Sequence, residues 1–141
     1  MTKEIWINLP VKDIAKSKEF FTHIGFTPNP GPGNSDVSAC FLIGSKKVVM
    51  MLFTEEMFQG FTRSRIADTN MGTEVLFSID AESREEVDEL AQKATEAGGK
   101  VFAEPGENQG WMYGCGFADL DGHLWNVLYM DMSKMPGVKN V

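Results

Sequence analysis

Four polar side chains interrupt apolar, strand-like segments of this sequence and could do chemistry there: Asn8, Glu74, Ser78 and Asn126. A carboxylate such as Glu74 can act as a general base, while the amides and the hydroxyl can hold a ligand by hydrogen bonds. A buried carboxylate without partners is costly, so Glu74 must be paired, neutralised or open to a wet pocket. The competing interpretation places Glu74 at a solvated strand end beside Gly72.

Residue alternation predicts that these groups share a cavity with apolar walls. If the odd-numbered residues 5–11 pack against a helix, then Trp6 and Asn8 face the other way. The same alternation turns Glu74 and Ser78 away from the helix of the second half. The expected ligand-binding wall comprises Trp6, Asn8, Met51, Ser78, Trp111, Tyr113 and Asn126. We expect Glu74 to be the catalytic residue, if the protein is an enzyme.

The elements that must position these side chains occur twice along the chain. The first copy, about residues 4–60, has predicted strands at 5–11, 38–43 and 47–53 and a predicted helix at 13–24, and a short helix at 55–61 is expected in the segment that joins the copies. The second copy, about residues 72–131, has predicted strands at 73–79, 100–103, 111–118 and 124–130 and one helix after the Ser83 cap. The expected fold is therefore α+β, with two βαβββ modules in a single domain, 1–141, because one such module cannot close its own sheet.

Composition excludes several classes of protein. The 141 residues carry 13 Lys and Arg against 20 Asp and Glu, a formal charge of −7, which opposes binding to nucleic acid. The longest apolar run, residues 48–53, is far shorter than the roughly 20 residues that span a bilayer, so no membrane partner is expected. The chain start shows no signal-peptide core, which favours the cytoplasm. Cys40 and Cys115 show no metal or redox spacing and are expected to be buried thiols.

Two segments of the chain resemble a known family. The stretch Asn8–Ser17, followed by Phe20-Phe21 and Gly25-Phe26, resembles the first sequence motif of proteins of the vicinal-oxygen-chelate superfamily. The stretch Asp119–Asn126 resembles the last motif of that superfamily. That superfamily holds glyoxalase I, bleomycin-resistance proteins, fosfomycin-resistance enzymes and extradiol dioxygenases. The resemblance implies paired βαβββ modules (the glyoxalase/bleomycin-resistance/dioxygenase fold), a U-shaped cavity between them and a homodimer.

The resemblance also implies where a metal would be bound. The family's metal-ligand positions fall on Trp6, on or near Met51, on Glu74 and on Asn126. Only Glu74 is a good ligand, while a catalytic divalent site needs about three, so no cofactor is expected. A slipped register would instead join Asn8, Glu74 and Asn126 as an all-oxygen site for a hard divalent cation.

Three functions follow from these observations. The first is a metal-free protein that binds a small organic molecule, with Glu74 suited to a cationic or hydrogen-bond-donating ligand. The alternative is a metal-dependent lyase, isomerase or dioxygenase acting on a vicinal-oxygen substrate, with Glu74 as ligand or base. The third is a regulatory module without a cavity, in which Glu74 pairs with Arg63 or Arg65. The tail, residues 132–141, is expected to be a flexible end or an arm over the partner subunit.

Overall fold

A computed structural model describes residues 1–136 of the chain. The chain divides into two compact units, Met1–Met71 and Gly72–Val141. Each unit contains a four-stranded mixed sheet, and its elements follow the order strand, helix and three strands. The predicted α+β architecture with two βαβββ modules is therefore confirmed.

In the first unit a helix packs on one face of the sheet. Its elements are β1 (Trp6–Val11), α1 (Ile14–His23), β2 (Thr27–Pro28), β3 (Ser38–Ile43), β4 (Val48–Thr54) and α2 (Glu55–Thr62). The strand order is β1-β4-β3-β2, with β1 parallel to β4 at the edge. Phe20 and Phe21 of α1 are buried with Phe41, Met50 and Leu52 of the sheet. This apolar layer is the core of the unit.

Local sequence explains where α1 begins and ends. Asp13 is the N-cap, and its carboxylate accepts a hydrogen bond of 3.0 Å from the backbone N–H of Lys16. Gly25 follows the helix with φ of 106°, a conformation that glycine adopts without steric cost. Phe26 then returns to the core, where its ring stacks on Phe21 at 5.6 Å between centroids. The expected cap and stop are both confirmed.

The second unit repeats this arrangement with a longer helix. Its elements are β5 (Leu76–Asp80), α3 (Arg84–Glu96), β6 (Lys100–Asn108), β7 (Met112–Ala118) and β8 (Leu124–Met130). The strand order is β5-β8-β7-β6, with β5 parallel to β8. Ser83 caps α3 by accepting a hydrogen bond from the N–H of Glu86. The core joins Val87 and Leu90 of α3 to Phe117 and Trp125 of the sheet.

The turn between β7 and β8 is organised by one buried carboxylate. Asp119 Oδ1 accepts hydrogen bonds of 3.0 Å from the backbone N–H groups of Asp121 and His123, and Gly122 has φ of 83°. Its Oδ2 accepts a 3.0 Å hydrogen bond from the indole Nε1 of Trp125. Burial raises the pKa of Asp119 above its usual value, against the opposing effects of His123 and of these donors. The predicted hairpin is confirmed.

Two predicted strands have clearly different bounds in the structure. Glu74 was expected within a strand over 73–79, but β5 begins at Leu76, where its pairing with Leu124 starts. The reason is that β8 itself begins at Leu124, which leaves Glu74 nothing to pair with in this ladder. The strand β6 continues through Pro105 to Asn108, because two register shifts against β7 accommodate the proline.

The structure differs from the sequence-based expectation at the start of β1 and after β8. Ile5 precedes β1 and is 75% exposed, so it does not join the core face. Met132–Lys134 forms a short 3-10 helix rather than an irregular tail, and residues 137–141 lie outside the described residues. Over residues 1–136, the helices are all too short or too polar to cross a lipid bilayer.

Candidate functional site

The first sheet has one face that α1 does not cover. Register pairs Trp6 with Val49, Asn8 with Met51 and Pro10 with Phe53, so these side chains share that face. The buried residues Leu9 and Leu52 occupy the opposite face. The predicted orientation of Trp6 and Asn8 is therefore confirmed within this unit, since the alternation expected from the sequence is the alternation observed.

The helix α2 folds back over part of this face. Thr54 is both the last residue of β4 and the N-cap of α2, where its hydroxyl accepts a hydrogen bond from the N–H of Met57. No loop separates the strand from the helix. Phe58, Phe61 and Thr62 follow at spacings of three and four residues and so lie on one side of α2. The ring of Phe61 meets that of Phe53 edge to face, with 5.0 Å between centroids.

Between the strands and this helix lies a pocket of about 440 Å³. It is lined by Trp6, Asn8, Phe53, Phe58, Phe61 and Thr62. Four of these side chains are aromatic, and none is ionisable. The side chain of Asn8 forms no hydrogen bond with any of residues 1–136, whereas the Thr62 hydroxyl interacts with the backbone of Ser64. The pocket is thus apolar, with a single unpartnered amide.

Met51 does not line this pocket, although it lies on the same face. The loop between β2 and β3 crosses the sheet there: a Cβ atom placed at Gly33 would lie 3.2 Å from the Cβ of Cys40 and 3.5 Å from the Cε of Met51. Asn34 holds the loop in place, because its Oδ1 accepts a hydrogen bond from the N–H of Cys40 and its Nδ2 donates to the carbonyl of Asn29. Met51 therefore packs under the loop.

In the second unit, Ser78 and Asn126 lie together on the face of the sheet opposite α3. They are direct register partners of β5 and β8, and the Asn126 amide donates a 3.4 Å hydrogen bond to the Ser78 hydroxyl. Gly116 is the register partner of Asn126 on β7. The phenyl ring of Phe102 lies over that glycine, 2.4 Å from the position a Cβ would take. Ser78 and Asn126, both predicted as ligand-binding residues, are thus hydrogen-bonded to each other.

Glu74 lies apart from that pair. It is exposed, in the bend that precedes β5, and none of residues 1–136 forms a hydrogen bond or ion pair with its carboxylate. Ser78 pairs with Asn126 further along the strand. Within the second unit, the structure therefore joins Ser78 to Asn126 and leaves Glu74 outside.

Tyr113 and Trp111 lie around the start of β7, and their part in ligand binding stays a prediction. Tyr113 lies on the α3 side of the sheet, where its hydroxyl donates a 2.7 Å hydrogen bond to Asp88, and this bond raises the pKa of the phenol. The guanidinium of Arg84 lies 5.2 Å from the centre of the Tyr113 ring and forms an ion pair with Glu107. Trp111 precedes β7, and its indole N–H is buried without a hydrogen-bond partner among the described residues.

The residues present do not fit the divalent metal that the family's metalloenzymes hold. Of the expected ligand positions, Trp6 offers no lone pair, Met51 packs under a loop and Asn126 is bonded to Ser78. Among residues 1–136, no three His, Cys, Asp or Glu side chains are grouped closely enough to bind a metal ion. The side chains at the expected positions therefore do not form a catalytic divalent metal site.

Sequence reasoning missed four of the six pocket residues. Phe53, Phe58, Phe61 and Thr62 were not among the predicted site residues, although the short helix was expected. The signal was present: Phe58, Phe61 and Thr62 form the apolar side of a helix that starts where β4 ends. In the structure α2 turns back beside the sheet, which brings that side over β1 and β4.

Comparisons with known proteins agree with this architecture. The Glyoxalase/Bleomycin resistance protein/Dioxygenase superfamily model matches residues 5–127. A solved hypothetical protein from S. aureus is 37% identical, with 91% of this chain and 94% of that chain covered and a TM-score of 0.80. A comparison with the curated proteins finds no match.

Two further solved structures share the fold at lower identity. A glyoxalase-related enzyme from Fulvimarina pelagi is 16% identical, with 91% of this chain and 88% of that chain covered and a TM-score of 0.77. A glyoxalase/bleomycin resistance protein/dioxygenase family enzyme from Burkholderia phytofirmans is 20% identical, with 87% and 94% covered and a TM-score of 0.71. These two show likeness of fold alone.

Proposed function

Since the chain belongs to the glyoxalase/bleomycin resistance protein/dioxygenase superfamily, we propose that it binds a small organic molecule, without a metal ion, in the pocket beneath α2. The observation that carries this proposal is the lining of that pocket. Four aromatic side chains surround a volume of about 440 Å³, which lies within the range of roughly 300–1,000 Å³ that is typical of ligand sites.

The exposure of the aromatic side chains supports the proposal. Trp6 is 57% exposed and Phe61 is 62% exposed, although both belong to a unit with a well-buried core. A ligand in the pocket would remove part of this apolar surface from water, and each Å² so buried contributes about 25 cal/mol. The aromatic rings also favour offset or edge-on contact with a flat ligand.

The metal-free part of the proposal rests on the donor set described above. Its test is metal analysis of protein purified without a chelator. We expect less than a tenth of an equivalent of any divalent metal ion. One equivalent of tightly held metal would overturn this part and favour the lyase, isomerase or dioxygenase alternative.

Ligand binding is tested by a fragment screen that follows the backbone and indole N–H signals in two-dimensional NMR spectra. The chain has three tryptophans, and the signal that disappears in Trp6→Phe identifies Trp6. We expect aromatic fragments to shift this signal. Phe61→Ala should weaken their binding, whereas Met57→Ala, on the same helix but outside the pocket, should not. A library that leaves the Trp6 signal in place would contradict the proposed function.

A catalytic role for Glu74 stays a prediction. Its exposed carboxylate is free to meet a substrate from solvent, and Glu74→Gln changes charge with little change in shape. If fragments bind Glu74→Gln with unchanged affinity, the carboxylate has no part in binding them. If their affinity falls, the Glu74 carboxylate contributes to binding them.

We also propose that the protein is a cytoplasmic homodimer. The face of the second sheet opposite α3 exposes Leu76 and Phe102, each by about half. A second copy of the chain that covers this face would remove that apolar surface from water. Sedimentation equilibrium should therefore give twice the chain mass, and Phe102→Glu should give the monomer. A monomeric wild-type protein would contradict the proposed homodimer.

The proposed cytoplasmic location is supported by the cysteines. Cys40 and Cys115 form no disulfide and are buried, as a reducing compartment allows.

A further inference from the structure

We propose that the molecule bound beneath α2 is a neutral, planar aromatic compound with an amide-like edge, where a hydrogen-bond donor and an acceptor stand side by side. This inference rests on the proposed function and names the class of ligand for that same pocket. It is carried by the chemistry of the six side chains that line the pocket.

The absence of ionisable side chains from the lining disfavours a charged ligand. The aromatic residues and the two neutral polar residues Asn8 and Thr62 make up the lining. A charged group that entered would lose hydration and gain no counter-charge, which is costly in an apolar setting. Aromatic faces attract cations by about 0.5–2 kcal/mol, so an organic cation is the charged ligand to test against.

Asn8 determines what the edge of the ligand must offer. Its side chain has both a donor and an acceptor, and none of residues 1–136 forms a hydrogen bond with it. Thr62 cannot serve in the same way, because its hydroxyl is already engaged with the N–H of Ser64 at 3.2 Å and the carbonyl of Ser64 at 3.5 Å. Asn8 is therefore the amide available to a ligand.

A ligand that covers Asn8 without forming hydrogen bonds to it would bind with lower affinity. While the pocket is open, water satisfies the amide. A purely apolar ligand displaces that water and leaves the amide buried and unpartnered, whereas a lactam edge restores both hydrogen bonds. The pocket volume of about 440 Å³ lies within the usual range for ligand sites, so a molecule of two fused rings fits in it.

The test compares four small probes in NMR titrations of the full chain. Isoindolin-1-one carries the lactam edge, and 2-methylisoindolin-1-one has the same rings with the donor blocked. The ion 2-methylisoquinolinium represents a cation, and 2-naphthoate represents an anion. We expect isoindolin-1-one to bind on the order of tenfold more tightly than each of the other three, with shifts at Trp6 and at the Asn8 side-chain amide.

Variants of Asn8 separate the hydrogen bonds from the aromatic contacts. Asn8→Leu should abolish the preference for isoindolin-1-one over its methylated analogue, and Gln59→Leu, an exposed amide on α2 outside the pocket, should leave it intact. Asn8→Asp keeps the shape but removes the donor, so it should weaken the lactam and strengthen 2-methylisoquinolinium. Dispersed NMR spectra of each variant establish that it is folded.

The outcomes distinguish the two proposals. If the probes shift Trp6 but bind equally, or if the preference for the lactam survives in Asn8→Leu, the ligand class is wrong while the binding function stands. Tighter binding of the cation to the wild-type protein would also overturn the ligand class. If neither these probes nor the fragment library shifts Trp6, the binding function itself fails.

Discussion

The indole Nε1 of Trp125 donates a 3.0 Å hydrogen bond to the carboxylate of Asp119, six residues earlier in the chain. The same carboxylate accepts two backbone N–H groups of the β7–β8 turn. One buried group thus joins the turn to the largest fully buried side chain of the second core.

This arrangement predicts that Asp119→Ala lowers the free energy of unfolding by about 1–3 kcal/mol or more, since it leaves three N–H donors without their acceptor. Trp125→Phe leaves the turn donors satisfied and tests the indole alone. Asp36→Asn, at an exposed loop position, is the control and should change stability by less than about 0.5 kcal/mol. Urea unfolding followed by circular dichroism measures all three. Equal stability of Asp119→Ala and Asp36→Asn would show that the carboxylate has no such role.

Cys115 predicts a pH dependence of stability. Burial, with smaller effects from Asp88 and Glu104, raises the pKa of its thiol from the usual 9.0 to about 11. A raised pKa in the folded state means that the thiol favours folding below pH 9 and that this contribution is lost as the pH rises towards 11. The wild-type protein should therefore lose more stability across pH 9–11 than Cys115→Ala. Parallel pH profiles of the two proteins would contradict this.

The glycines of β7 predict unequal effects of the same substitution. A Cβ at Gly114 would lie 2.6 Å from the carbonyl oxygen of Val127, which belongs to the backbone and cannot move aside. The three atoms nearest to a Cβ at Gly116 would all belong to the ring of Phe102, which is half exposed and can rotate away. Gly114→Ala should therefore cost about 1–3 kcal/mol or more, and Gly116→Ala clearly less. Thermal unfolding of both variants would reveal a reversed order if this reasoning were wrong.

The hydrogen bond between Tyr113 and Asp88 predicts the titration of the phenol. Because this bond is the main cause of the raised pKa, Asp88→Asn should lower the pKa of Tyr113. The chain has two tyrosines, so the ultraviolet titration is carried out in a Tyr129→Phe background. An unchanged pKa of Tyr113 would show that the hydrogen bond to Asp88 does not cause the shift. The same Asp88→Asn variant should bind aromatic fragments normally, since neither residue lines the pocket.

Strand alternation and helix caps could be predicted from the sequence, because both depend on neighbouring residues. The orientation of Asn8, the caps at Asp13 and Ser83 and the bounds of β3 and β8 all follow from local patterns. The positions of Glu74 and Tyr113 could not be predicted from local patterns, because each depends on pairing with a distant segment. Glu74 precedes the point where β5 meets β8, and Tyr113 faces α3 because β7 pairs in the register that places Cys115 and Phe117 in the core.

The pocket was hidden from sequence reasoning for a related reason. Phe58 and Phe61 look like ordinary apolar residues of a short helix, and only the direction of that helix places them opposite Trp6. The direction follows from the junction at Thr54, which a list of strand and helix segments does not describe.

That junction also bears on how relatives of this protein diverge. Four of the six side chains around the pocket lie within the ten consecutive positions 53–62, and no member of the buried core of the first unit lies there. Substitutions within this one short stretch can therefore change which ligand the pocket binds, while the core residues that determine the fold stay unchanged.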